Sequence, residues 1–111
     1  MTLQAELQQY YGTEKYYRLN ITPIVATDGV KAFADKGSAY WAVDEMCFKA
    51  MKLKQPFLAV TITSSNNKAT ITYEDGNNNQ LKQTKVSWTD LETGTYNFYI
   101  TDNVIMLRSE Y

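Results

Sequence analysis

The chain has 111 residues, 44% of them hydrophobic and 14% aromatic, which is enough for one packed domain without disulfides or structural metals. Its 11 basic and 12 acidic residues leave a net charge of −1 and form no basic run, which sets nucleic acid and anionic membrane surfaces aside as partners. With no histidine and a single cysteine, the commonest general base, the commonest zinc ligand and every Ser-His or Cys-His arrangement are excluded.

The opening segment MTLQAELQQYYG carries no basic region followed by an apolar run, so no secretory signal is legible, and no stretch approaches the ~18 apolar residues of a membrane span. The expectation is a cytoplasmic protein of one domain, 1–111. Thr2 is placed to cap a first helix whose stripe is Leu3, Leu7 and Tyr10, with Gly12 ending it. GTEKYYRLNITPIV reads as an extended connection with an edge strand near Leu19 to Val25, because Pro23 is tolerated only at an edge.

Thr27 caps the next helix, with Asp28 at its positive end and Val30 and Phe33 or Ala34 on its inner side. Gly37 closes that helix and Ser38 caps a longer one running to about Leu53. On the longer helix Glu45, Lys49 and Lys52 form a polar stripe, with Glu45 and Lys49 spaced for an ion pair. The expected sheet-facing side is Tyr40, Val43, Cys47, Ala50 and Met51. Trp41 and Phe48 form a second shoulder, so the helix is expected to be covered from two sides.

From Pro56 the period becomes two. Leu58, Val60 and Ile62 alternate with Ala59, Thr61 and Thr63; Ala69, Ile71 and Tyr73 alternate with Thr70 and Thr72. Asp75-Gly76 signals a hairpin turn. The strand from Gln80 to Trp88 changes phase between Leu81 and Val86, which a bulge reconciles. Tyr96, Phe98 and Ile100 then alternate with Asn97 and Tyr99, and Asp102-Asn103 turns the chain into Val104 to Leu107. The pattern predicts an α+β domain, with N-terminal helices packed on one face of a four- to five-stranded antiparallel meander sheet. Its other face should be flat and nearly uncharged, showing Thr61, Thr63, Thr70, Thr72, Asn97 and Tyr99.

GTEKYYR at 12–18, TDGV at 27–30, GSAYW at 37–41, DGN at 75–77 and TDNVIMLRSEY at 101–111 together resemble an uncharacterised bacterial and phage-associated family, domain-of-unknown-function family number 6876. The resemblance runs from about Gly12 to Tyr111. The chain departs from the family's pattern in having no histidine after Tyr16-Tyr17-Arg18. The resemblance implies a compact domain from bacteria or their mobile elements and an interaction role, and it supplies no activity, cofactor or catalytic residue.

Several residues carry two readings. Thr27-Asp28-Gly29 is an anion site at a helix start or simply a cap, and Asp28 already occupies the position a phosphate would take. Asp44, with Tyr40, Trp41 and Phe48 at helical spacing, is either a desolvated carboxylate in a small-ligand or catalytic pocket or a structural hydrogen-bond acceptor. Tyr10, Tyr11, Tyr16 and Tyr17 serve an interface or seal the core. Thr101, Asp102 and Asn103 form a metal loop or a hairpin turn, and Arg108, Glu110 and Tyr111 form a tail that docks or frays. Cys47 reads as a small core hydrophobe. No catalytic residue, metal set or cofactor motif is legible. The leading expectation is a non-enzymatic module that binds a host protein or a second copy of itself through the tyrosines and the outer sheet face. The rival is a ligand binder or carboxylate-dependent enzyme centred on Asp44, Trp41 and Tyr40.

Overall fold

A computed structural model describes residues Thr2–Tyr111. In chain order the elements are α1 (Leu3–Leu7), β1 (Val25–Ala26), α2 (Asp28–Lys36), α3 (Tyr40–Leu53), β2 (Phe57–Ser65), β3 (Lys68–Glu74), β4 (Gln80–Val86), β5 (Gly94–Thr101) and β6 (Val104–Leu107), followed by a 3-10 turn at Arg108–Glu110. Among the described residues no helix is long and apolar enough to cross a membrane.

The α+β class holds, but the sheet has six strands in the order β1-β6-β5-β2-β3-β4 rather than four or five in a meander. Three strands, β2 to β4, do run as a meander. β5 then returns to the far side of β2, which gives the Greek-key order. The edge strand expected near Leu19 to Val25 is confined to Val25–Ala26; this β1 lies parallel to β6 at the edge, with Val25 opposite Val104. It is only two residues long because Pro23 precedes it and α2 begins just after it.

Alternation places Leu58, Val60, Ile62, Ala69, Ile71, Tyr73, Tyr96, Phe98 and Ile100 in the core, all buried. Phe33 of α2 meets this face edge-on against Phe98, 5.0 Å between ring centroids, and tilted against Tyr96 at 5.4 Å. The hairpin turns are built from asparagine and aspartate: Asn66 and Asn67 have φ of 54° and 60°, Asp102 and Asn103 of 52° and 59°. Paired positive φ values match the twist of the flanking strands. In the 75–79 loop the positive φ falls on Asn78, not on Gly76, while the Asp75 carboxylate gathers the N–H groups of Asn77 and Asn79. The β4 bulge lies at Leu81, since Tyr73 faces Lys82 and Glu74 faces Gln80. The strand stops at Val86, leaving Trp88 68% exposed.

Four helical expectations need correction. α1 ends at Leu7 rather than near Gly12, which has no positive φ; a helix this short is held by tertiary contact, here burial of Leu3 and Leu7. Ser38 does not cap α3. It takes φ +50° just after Gly37, the residue that closes α2. The α3 N-cap is Ala39, which offers no side-chain bond. The core face of α3 is Ala42, Val43, Met46 and Cys47, and Tyr40, Phe48 and Met51 are exposed, so no second layer covers that helix among the described residues.

Candidate functional site

The helices cover one face of the sheet and leave the other open. Register puts Thr61 between Thr72 and Asn97, and Thr63 between Thr70 and Thr95. The Thr61 hydroxyl donates to Asn97 Oδ1 at 3.1 Å, and Gln83 Nε2 donates to Thr72 Oγ1 at 3.2 Å. Tyr99 lies on the same face, opposite Ala59 and Met106. All six outer-face residues picked from alternation therefore come together.

Two further residues complete this face. Phe57 packs against Tyr99 at 5.0 Å between centroids, and Tyr111 meets Tyr99 at 5.0 Å and Phe57 at 5.9 Å, both edge-on. The C-terminal segment thus docks, yet Tyr111 stays 75% exposed. Phe57 could have been found by parity with Ala59 and Thr61. Tyr111 lies outside any strand and carries no such signal.

The tyrosines of 10–17 do not form one uniform group. Tyr10 packs partly against the core, whereas Tyr11 and Tyr16 are 83% and 60% exposed. Tyr17 is tied down: its main chain pairs with Ala26, its hydroxyl donates to Asp28 Oδ1 at 3.0 Å, and the Lys31 ammonium lies 5.7 Å from its ring centre. The bond to Asp28 raises the Tyr17 pKa.

Asp28 accepts from the Glu14 N–H at 2.9 Å as well, and that bond, with those of Tyr17 and Thr13, holds its carboxyl below the ordinary range. On the other side of the α2 start, Glu110 accepts from the Thr27 hydroxyl at 2.6 Å and the Gly29 N–H at 3.0 Å. The motifs GTEKYYR, TDGV and the terminal SEY thus meet at one helix end, where the first N–H groups of α2 are already taken: that of Asp28 by the Thr13 hydroxyl, that of Gly29 by Glu110 and that of Val30 by the Thr27 hydroxyl.

The residues of the Asp44 reading are drawn into separate networks. Asp44 accepts from Asn20 Nδ2 at 3.0 Å, and Asn20 Oδ1 in turn accepts from the N–H and hydroxyl of Thr22. Tyr40 donates its hydroxyl to Asp35, which also pairs with Lys31 at 2.7 Å. Phe48 lines a shallow depression with Lys49, Met51 and Lys52. Cys47 is buried, and burial pushes its thiol pKa up, away from the nucleophilic thiolate. Asp102 and Asn103 form the two-residue turn of the β5–β6 hairpin.

A recess of about 130 Å³ lies where α1, β5 and the C-terminal turn meet, with Leu7, Gln8, Asn97, Leu107 and Arg108 in its wall. Neither it nor the α3 depression is lined by Tyr40, Trp41 or Asp44. Tyr96, also in the wall, has its pKa pushed up to about 12 by burial and the nearby Glu92, so its hydroxyl stays neutral and donates to the Glu92 carbonyl at 2.6 Å.

Comparison with curated proteins and with solved structures finds no match for the chain. The family comparison is positive over the full length: matching along residues 1–111, the chain belongs to the family of unknown function DUF6876.

Proposed function

We propose that this chain is a non-enzymatic protein-interaction module, which binds a host protein or a second copy of itself through the open face of its sheet. The observation that carries this reading is the cluster of half-buried Phe57 and Tyr99 with exposed Tyr111 at one end of a threonine-lined, weakly charged surface. Rings already packed on one another lose little side-chain freedom on binding, and hydroxyl-bearing surface is cheaper to desolvate than charge. Tyr11 and Tyr16 offer additional exposed aromatic contact from the 10–18 segment. The phage and mobile-element setting implied by the resemblance suits an accessory or inhibitor protein acting on a host factor.

The test is cross-linking with mass-spectrometric mapping in the native cytoplasm, with light scattering of the purified chain for self-association, on wild type and a Tyr99→Arg variant. The expected result is cross-links at Phe57, Thr61, Thr72, Asn97 and Tyr111 that the variant loses, with affinity reduced at least about tenfold. Cross-links concentrated instead on Phe48 and Met51 of α3, or undiminished in the variant, would overturn the proposal.

A further inference from the structure

The sheet ends on β4, which pairs with β3 alone. The Asn66-Asn67 turn fixes which main-chain groups of β4 are left over. A two-residue hairpin closes on a pair that exchanges both hydrogen bonds, here Ser65 and Lys68. Alternation then turns the main chain of Thr70 and Thr72 towards β2, and that of Ala69, Ile71 and Tyr73 towards β4. Their partners Val86, Thr84 and Lys82 are bonded. Gln83 and Lys85 therefore aim their N–H and C=O groups away from the sheet, and none of these has a main-chain partner among the described residues.

Two further features lie along this edge. Lys82 stands on the helix side, opposite Tyr73, and Lys85 on the open side, opposite Thr70. Both are exposed, neither pairs with a carboxylate among the described residues, and Gln80–Val86 contains no acid. Just past the strand the chain hooks onto the β2–β3 turn, where the Thr89 N–H donates to the Asn67 carbonyl at 2.9 Å, and Trp88 is left 68% exposed. Lysine on a sheet margin is a common deterrent to pairing with a like strand. That accounts for the charges. It does not account for an exposed indole beside them, the side chain most enriched where interfaces are anchored.

We infer that the β4 edge takes an added strand, an extended acidic segment of another protein. The segment's main chain continues the ladder at Gln83 and Lys85, its carboxylates meet Lys82 and Lys85, and an apolar side chain rests on Trp88. The bulge at Leu81 limits the straight part of the edge to Lys82–Val86, so the paired stretch is about five residues long. Because the two lysines are three positions apart, the matching acids are spaced Glu-x-x-Glu. Charge selects this occupant over a second copy, which would line one seam with lysines from both strands and acids from neither. The inference does not rest on the open-face proposal: β2 and β3 separate Tyr99 of β5 from this edge, and either surface can fail alone.

The experiment is an NMR titration of the ¹⁵N-labelled full chain with a capped peptide, Leu-Thr-Thr-Glu-Thr-Thr-Glu. Saturable shifts are expected at Gln83, Lys85 and Trp88. Three changes should each weaken binding at least about tenfold: lysine in place of both glutamates, N-methylation of the two peptide residues that face Gln83 and Lys85, and a Gln83→Pro variant. Proline removes only the outward N–H, which the fold does not use, so core amides such as Ile71 should keep their positions. The N-methylated peptide tests the same bonds on the unaltered protein if the variant unfolds. Absence of saturable shifts on β4, or equal binding of the N-methylated or the lysine peptide, would overturn the proposal. So would concentration-dependent β4 shifts without peptide, which would assign the edge to a second copy.

Discussion

Glu110 and Gly29 stand 81 positions apart, yet the Glu110 carboxylate accepts the Gly29 N–H at 3.0 Å. The same carboxylate holds the Thr27 hydroxyl and the Leu107 N–H. A Cβ on Gly29 would fall 2.6 Å from both Glu110 Oε1 and Leu107 Cδ1, so a larger residue there would have to push these two side-chain ends aside and loosen the clamp. Glu110→Ala removes three charge-assisted bonds, two at the start of α2 and one at the end of β6, and should cost about 2 kcal/mol in urea unfolding, with Glu110→Gln recovering part of the loss. A loss below about 0.5 kcal/mol for Glu110→Ala would show that water replaces the clamp at no cost.

Tyr73 is buried on the core face, and its hydroxyl has no hydrogen-bond partner. Burial raises its pKa far above the tyrosine range, so the group stays neutral. Removing an unsatisfied buried hydroxyl relieves a desolvation cost. Tyr73→Phe should therefore leave stability unchanged or raise it by up to about 1 kcal/mol. A loss of that size instead would point to a buried water serving the hydroxyl.

Asp28 has a folded-state pKa below its ordinary value, chiefly through the Glu14 N–H bond, then those of Tyr17 and Thr13. A depressed carboxylate stabilises the fold at pH above its unfolded value of about 3.9, and that contribution disappears as pH falls through the folded value. Urea midpoints followed from neutral pH into acid should show Asp28→Asn less stable than wild type near neutrality and converging with it as pH falls through the folded-state value of Asp28. Asp35 and Asp75, also depressed, keep a residual acid slope in both proteins. Parallel curves with a constant gap would remove Asp28 ionisation as the cause.

Alternation from Leu58 onward identified the faces of the strands because parity is a local property of the chain. It identified no neighbours. Nothing in residues 94–101 states that β5 lies against β2 rather than β4, so the crossing was invisible. The α3 face was misjudged because Tyr40–Leu53 is apolar almost all round, and such a helix does not choose between Met46 and Met51 by period alone. Ser38 failed for a different reason. Serine favours helix caps, but Ser38 is used in the left-handed turn between α2 and α3, and Ala39 takes the cap position of α3. Of the outer face, six residues were legible and Phe57 was within reach. The recess was not, because it joins Leu7, Asn97 and Arg108 from three distant elements.

The two margins of the sheet are poor templates for polymerisation. β1 offers two residues, and β4 is broken by a bulge and carries Lys82 and Lys85. Such margins discourage stacking into fibrils.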